Sequence, residues 1–399
     1  MAGDESGSAT SPLAGVRVIE FTHMVMGPAV GAILADLGAE VIRVEPLAGD
    51  ATRQLKGSGA GYFPMYNRGK KSVCLDLKHP EGVALARRLV ASSDVLVENF
   101  RPGVLDRLGL DYESLCVANP RLIYCSEKGF LAGPYENRAA LDEVAQMMAG
   151  LAYMTGPPGQ PLRAGASVID VTAGMFGVIA ILAALQSRHH TGRGQKVMSA
   201  LFETTAYLVG QHMAQKAVTG EAAKPMPVRT SAWAIYDVFQ TKDAEQVFLG
   251  IVSDSQWQKF CREFGLEALA GEPYRTNLQR VRARPELLPK IRDIVQAFTK
   301  AELLPRLERS ELPFAAVGRP EDLFDDPHLL ASGGLAATRL PDGQMTRLPV
   351  LPIGLGGERP AASGDLATAG EHTRPVLRGI GVGAEELEGL AGRGVIAGK

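Results

Sequence analysis

Cysteine is scarce in this 399-residue sequence, and the four present, Cys74, Cys116, Cys125 and Cys261, show no CxxC spacing. They suggest neither a zinc ribbon nor a disulfide framework, and the expected compartment is a reducing cytoplasm. Neither sign of charge prevails, since 42 Lys and Arg stand against 44 Asp and Glu, a formal net charge of -2. A nucleic-acid partner would favour a basic stripe or a strongly basic domain, so that class is set aside. Long hydrophobic runs are also missing. The longest, around residues 175–185, contains glycine and falls well short of the roughly 20 residues that span a bilayer, so no membrane segment is expected. Aromatic residues make up only 6% while glycine reaches 45 residues, a balance that suits α/β architecture with tight strand-to-helix turns. The opening MAGDESGSATS is small, polar and acidic, the reverse of a secretory signal, and reads as a frayed tail over residues 1–11.

What remains is a regular alternation. VRVIEF at 16–21 reads as a short buried strand, followed by the loop THMVMGP and a helix over 29–37 that Gly38 ends; residues 41–44 form a second strand. The same rhythm returns with SVCLDL as strand, 81–92 as helix and DVLVENF as strand. LIYCSEKGF at 122–130 is a further strand running into a loop. Such βαβ succession predicts a doubly wound, mostly parallel sheet, whose ligands sit outside the carboxyl ends of the strands. A long helix is expected over 174–189, a linker over 221–230 where EAAKPMPVRT loses periodicity, and an α+β module beyond it with YDVFQ and VFLGIV as an antiparallel pair.

The first loop does not fit a dinucleotide site. Gly27 and Gly31 are four apart and interrupted by Pro28, so GxGxxG is absent, and Glu45 at the end of the second strand is a weak signal alone. GSGAG at 57–61 follows no strand and reads as a surface loop, and His189-His190 reads as surface. HExxH, GxSxG and the P-loop are all absent. Arg68, Lys70, Lys71, Arg101 and Arg107 stand beside strand ends, where Lys and Arg suit a phosphate-rich ligand, with a solvated surface as the alternative. Asp170 follows the apolar run ASVI at 166–169 and precedes the long helix. There the helix dipole favours its ionised form, and two roles are open: an N-cap, or a nucleophile toward a thioester carbonyl.

The run PLAGVRVIEFTHMVMGPAVGAILADLGAEVIRVEP, with FPMYNRGKKSVCLDLKHPEG, VLVENFRPGVLDRLGL, NPRLIYCSEKGF, TGRGQKV, LFDDPHLLASG and GEHTRPVL, resembles the class III CoA-transferases, the family of formyl-CoA transferase and carnitine CoA-transferase. The resemblance covers nearly the whole chain. It implies a large Rossmann-like domain built from residues 12–220 and 336–399, a smaller α+β domain over 231–335, and a homodimer whose subunits interlock as rings. CoA or acyl-CoA is then a substrate, with no tightly bound cofactor and no metal. The resemblance assigns His23, Met24, Lys70, Asn99, Phe100, Arg107 and Arg138 to CoA binding, and makes Asp170 the nucleophile.

The implied chemistry is CoA transfer from a donor such as succinyl-CoA to a small carboxylic acid, through an aspartyl anhydride and an aspartyl-CoA thioester. Backbone N–H groups of the Gly27 loop are candidates for stabilising the oxyanion. Arg53, Arg68, Arg163 and Arg229 are candidates to hold the distal carboxylate of a diacid. Three departures from the family pattern bear on this. The tetraglycine run of formyl-CoA transferase is absent, which speaks against formyl and oxalate substrates. Val25 stands where that enzyme has a glutamine. The related racemases carry a His-Asp pair where this chain has Leu141-Asp142, leaving stereoinversion without one proton partner. An acyl-CoA racemase or isomerase and a non-catalytic CoA-binding protein are the alternatives.

Overall fold

The computed structural model describes residues 11–229, 231–360 and 364–398, so nearly all of the tail expected at 1–11 lies outside the described residues. In chain order the strands are β1 Arg17–Phe21, β2 Glu40–Glu45, β3 Lys71–Leu75, β4 Val95–Glu98, β5 Ile123–Lys128, β6 Lys196–Ala200, β7 Ile235–Gln240, β8 Gln246–Ile251, β9 Phe314–Ala316, β10 Leu335–Arg339, β11 Met345–Pro349 and β12 Ile396–Ala397. Two compact units divide the chain. One is Val228–Asp326, and the other combines the segments on either side of it.

The larger unit is built on a seven-stranded sheet in the order β12-β3-β2-β1-β4-β5-β6. All pairings are parallel except β12 against β3, and the register sets Val18 beside Val41 and Val95. The order β3-β2-β1-β4-β5-β6 is that of the Rossmann fold, with the reversal of strand order between β1 and β4. Strands buried on both faces need apolar residues at successive positions, which is why VRVIEF and DVLVENF carry no clean alternation. On one face Ile19, Ile42, Val73 and Leu96 pack with Leu85 and Leu89 of the Pro80–Ala91 helix. On the other, Val18, Val41, Val97 and Cys125 pack with Val30 and Leu34 of the Met26–Asp36 helix and with Val178 and Ile181 of the Val168–Thr191 helix. This last helix alone among the described residues is long and apolar enough to cross a membrane; here Ile169, Ala173, Val178 and Ile181 are buried within the unit.

The smaller unit holds β7-β8-β9, antiparallel throughout, and packs Trp257, Phe260, Leu287, Ile291 and Leu303 into its core. It ends at Asp326, short of the expected bound at 335. The hairpin of β10 and β11 is held to the larger unit instead, because Arg68 donates to the Pro349 carbonyl at 2.6 Å and the Leu351 N–H to Asp36 at 3.2 Å. The C-terminal segment returns to the same sheet through β12.

Candidate functional site

The reversal between β1 and β4 leaves a crevice beyond their carboxyl ends, where ligands of open α/β sheets bind. The first loop of the chain is pinned there. Asn99, just past β4, accepts from the His23 N–H and donates to the His23 carbonyl, both at 2.9 Å, and the His23 ring stacks on Phe100 at 5.4 Å. Met24 adopts φ +62 and its side chain stays exposed. Gly27 permits this close approach, since a Cβ there would fall 2.7 Å from Thr22 and 2.9 Å from Asn99. The protein packed around the His23 ring outweighs the pull of Asp50 and Asn99 and holds its pKa below the ordinary value.

The Met26–Asp36 helix starts at this loop with no side chain capping its first turn. Gly174 lets it lie directly against the Val168–Thr191 helix, for a Cβ at Gly174 would fall 2.9 Å from the Met26 carbonyl. The two helices thus bring their N-termini to one cavity of about 260 Å³, lined by His23, Met24, Tyr62, Glu127, Asp142 and Asp170 among others. Positive ends of two helix dipoles favour anionic groups at that point.

Asp170 sits in the first turn of the Val168–Thr191 helix, which begins earlier than the expected start at 174. It is not the cap. The cap comes from Asp142, distant in sequence, whose Oδ2 accepts the N–H of Ile169 at 2.8 Å and of Asp170 at 3.0 Å. Asp142 is buried and held by Gln146, which also accepts the Ala164 N–H at 2.8 Å. The expectation that the dipole keeps Asp170 ionised is corrected: its pKa is pushed up to about 7. Burial contributes most, then the charges of Asp142 and Glu143, against a smaller pull from Arg163. The same burial, with the Asp170 charge nearby, raises the Tyr66 hydroxyl.

Asn99 also lines a second cavity of about 250 Å³ together with Phe100, Arg101 and Arg138, and Glu127, Lys128 and Leu141 border both spaces. Of the residues expected to bind CoA, His23, Met24 and Asn99 therefore meet at Asp170, while Phe100 and Arg138 lie next to them. Arg138 is exposed, with its guanidinium 4.9 Å from the Tyr135 ring. Arg107 is exposed at the end of the short Val104–Arg107 helix and lines neither cavity.

Lys70 requires correction. Its ammonium is buried and engaged by both Glu20 oxygens at 2.8 and 3.0 Å, the Pro28 carbonyl at 2.9 Å and Asn67 at 3.3 Å. Burial brings its pKa down to about 8, with Glu20 opposing. It holds the sheet to the first helix and has no free direction for a phosphate. Arg68 is likewise bound to both Asp36 oxygens at 2.9 and 2.6 Å, and Arg53 to both Glu45 oxygens at 2.8 and 2.6 Å. Neither is left for a distal carboxylate, and Glu45 is not left for a ribose. Arg163 pairs with Glu143 and donates to the Ala164 carbonyl at 3.0 Å. Arg229 belongs to the smaller unit, where it lines a separate cavity with Arg284 and Arg292.

Sequence reasoning missed Asp142 as the helix cap; it placed residues 127–133 at a strand's carboxyl end, where ligands sit, but gave Glu127 no role of its own. Glu127 is buried in β5, its Oε1 accepting from the Cys125 thiol at 3.2 Å, and its pKa is pushed up to about 8, chiefly by burial. The available signal was strand alternation, which sets Glu127 on the same face as the buried Cys125.

Residues 13–373 match the model of CoA-transferase family III. The succinate–glutarate CoA-transferase of Agrobacterium fabrum is 36% identical over 92% of this chain and 95% of its own length. The beta subunit of the succinyl-CoA–L-malate CoA-transferase of Chloroflexus aurantiacus is 32% identical over 98% of this chain and 99% of its own. Among solved structures, a CAIB/BAIF family protein from Brucella suis is 34% identical, with a TM-score of 0.83 over 93% of this chain and 100% of that one.

Proposed function

The chain belongs to CoA-transferase family III, and from that premise we propose that it moves CoA from succinyl-CoA to a small dicarboxylic acid, with Asp170 as nucleophile. The observation that carries this reading is a partly buried carboxyl in the first turn of a helix, lining a cavity at the switch point of the sheet. Ionised Asp170 attacks the thioester carbonyl, the carbon–sulfur bond breaks, and CoA thiolate leaves behind a mixed anhydride. The thiolate then attacks the aspartyl carbonyl and releases the donor acid, giving an aspartyl-CoA thioester. An acceptor carboxylate runs the two steps in reverse. Each thioester is exchanged for another of similar energy, so the steps themselves call for no ATP.

Burial serves this chemistry twice. It raises the basicity of the attacking carboxylate, and it keeps water from anhydride and thioester. The paired helix N-termini favour thiolate and carboxylate in the cavity. Asn99 borders both this cavity and the one lined by Phe100, Arg101 and Arg138, a suitable course for pantetheine toward a phosphate-bearing end. Arg163, whose charge reaches Asp170, is the remaining candidate in the larger unit for a distal carboxylate. The relatives named for succinate, glutarate and malate transfer support a diacid pair. An interlocked homodimer is supported by Met175, Ile179 and Leu182, an apolar row left 49%, 58% and 38% exposed on the Val168–Thr191 helix.

Leu141 borders the cavity where the racemases carry histidine, and an isobutyl group transfers no proton. The test is intact-protein mass after incubation with succinyl-CoA and hydroxylamine trapping, on the wild type and Asp170→Ala. An adduct on Asp170, absent from the variant, is expected. Absence of any adduct alongside normal CoA binding refutes the reading, and α-deuterium washout at a catalytic rate moves it to the racemases.

A further inference from the structure

Ser167 stands three residues before Asp170, the spacing of a capping box, in which a serine before the helix accepts the N–H of the third helical residue and an acid there reaches back to the serine N–H. Here neither bond of the box is made. The Ser167 hydroxyl caps nothing, because the N–H groups of residues 168–171 are engaged elsewhere. Val168 donates to the Ala166 carbonyl at 2.8 Å, Ile169 and Asp170 to Asp142, and Val171 to the Ser167 carbonyl at 3.1 Å. The Ser167 hydroxyl and the Asp170 carboxyl are thereby both left to the cavity that they line. The contact of that hydroxyl is with the hydroxyl of Tyr62, which lines the same cavity 3.5 Å away, wider than the roughly 2.5–3.0 Å of a good O–H···O bond. Tyr62 is held from behind. Its Tyr62–Asn67 helix is anchored by buried Asn67, which accepts from Arg43 at 2.8 Å, and the Arg53 guanidinium lies 4.0 Å over the Phe63 ring.

We propose that Ser167 is a substrate-binding residue of this site, its hydroxyl acting with that of Tyr62 to donate hydrogen bonds to the acyl oxygen of the group exchanged at Asp170; this rests on the CoA-transfer reading above. Two hydroxyls 3.5 Å apart leave a place within about 2.8 Å of both for one acceptor oxygen. Side chains three apart on one helical turn stand about 5–6 Å from each other at Cβ, so an acyl carbon in contact with the Asp170 carboxylate has its oxygen in reach of Ser167. A helix start would ordinarily offer its own N–H groups to an anion, but Asp142 has taken those of Ile169 and Asp170. The Ser167 hydroxyl is the donor that the turn has left. When Asp170 attacks, its oxygen bonds to the acyl carbon and the carbonyl π pair moves onto the acyl oxygen. On collapse the carbonyl re-forms and the carbon–sulfur pair leaves with CoA thiolate, while both hydroxyls keep their protons. Charge growing on an oxygen already held by two donors is stabilised more than the neutral carbonyl it came from, which is the condition for faster chemistry.

Ser167→Ala and Ser167→Thr are compared with the wild type. Ser167→Ala is expected to lower kcat about 100-fold with KM for the acyl-CoA little changed, the cost of one oxyanion donor, and Ser167→Thr to stay within about tenfold of wild type because its hydroxyl remains. The Tm of Ser167→Ala is expected to hold, since no cap bond is lost. Wild-type kcat in Ser167→Ala, or Ser167→Thr as slow as Ser167→Ala, overturns the proposal, and so does a fall in Tm without a fall in kcat, the mark of an ordinary cap. A second readout needs no turnover: the infrared carbonyl stretch of succinyl-CoA, isotopically labelled at the thioester carbon and bound to Asp170→Ala. The band is expected to move to lower wavenumber on binding, and to move less when Ser167→Ala or Tyr62→Phe is added to that background. A band indifferent to Ser167→Ala overturns the subsite. The two readings fail separately: a shift that depends on Ser167, without any adduct in the wild type, refutes Asp170 as nucleophile and leaves the subsite standing, while an Asp170 adduct with no such shift refutes the subsite alone.

Discussion

Replacing Asp142 by asparagine separates its two effects on Asp170. The amide oxygen still accepts the N–H groups of Ile169 and Asp170, so the helix stays capped, but the negative charge that raises the Asp170 pKa is gone. A pair of unit charges 4 Å apart at an effective dielectric of 20 interacts by about 4 kcal/mol, which bounds the effect from above. Burial is the larger cause of the shift, so the charge of Asp142 accounts for about one pKa unit, or about 1.4 kcal/mol. The Asp170 pKa then falls from about 7 toward about 6. At pH 6 the ionised fraction of Asp170 rises from about one-eleventh to about one-half, so adduct formation with succinyl-CoA accelerates about fivefold. Above about pH 8, where both proteins are ionised, the variant is no faster and its less basic carboxylate is slightly slower. The assay is the initial rate of trapped adduct by mass across pH, read as the midpoint of the acid limb. Losing the Gln146 bond to Asp142 costs about 1 kcal/mol of stability and shows as a lower Tm, a readout that does not move a pH limb. An acid limb that stays in place, or moves to higher pH, refutes the electrostatic account of Asp170.

The raised Asp170 pKa is also a statement about stability: between its ordinary 3.8 and about 7 the native state holds more protons than the unfolded one, so stability falls as pH rises through that window. Asp170→Asn is therefore expected to stabilise the protein by about 1–2 kcal/mol at pH 8 after allowance for solvent reaching the carboxyl, and by little at pH 4, as read from Tm at both values. Gly31→Ala would place a Cβ 1.9 Å from Glu20 Oε2 and 2.8 Å from Lys70 Nζ, so it drives that buried pair apart. The expected loss is about 3–5 kcal/mol in a urea melt, against no loss for Gly61→Ala, where nothing lies within 4 Å and φ is -80. Asn99→Ala removes both hydrogen bonds to the His23 backbone and is expected to raise KM for CoA by up to about thirtyfold with a smaller change in kcat, each bond contributing about 1 kcal/mol. An unchanged KM in steady-state kinetics means the pinned loop does not serve CoA.

The parallel sheet is legible because its signal is local. Uninterrupted apolar strands such as VRVIEF, followed at short distance by glycine-ended helices, have few ways to bury both faces. What was misread depends on partners far along the chain. Lys70 and Arg68 look like ligand cations beside a strand end until Glu20 and Asp36, 50 and 32 residues away, close on them. Helix starts are usually marked by the residue before the first turn, yet the Val168–Thr191 helix takes its cap from Asp142, so its beginning is invisible locally and the expected start falls late. The hairpin of β10 and β11 likewise follows the smaller unit in sequence but is tied by Arg68 and Asp36 to the larger one.

That misplaced cap bears on how the site works. A helix N-terminus has a fixed supply of N–H donors, and a single acid placed there would use them itself and become a weaker base. Here Asp142 takes the donors of Ile169 and Asp170, and Asp170 keeps its place in the first turn without them. Asp170 thus feels burial and the neighbouring charges of Asp142 and Glu143 and stays poised near neutrality. A carboxylate with the ordinary pKa of the donor and acceptor acids would leave an anhydride as readily as they do. On the proposed CoA-transfer reading, one raised toward 7 attacks more strongly, while the thiolate that must return can still displace the acid it has just joined. Pairs of carboxyl groups with unequal environments divide roles in this way, and the division here follows from one carboxyl reaching the helix end across the sequence and the other growing out of the helix itself.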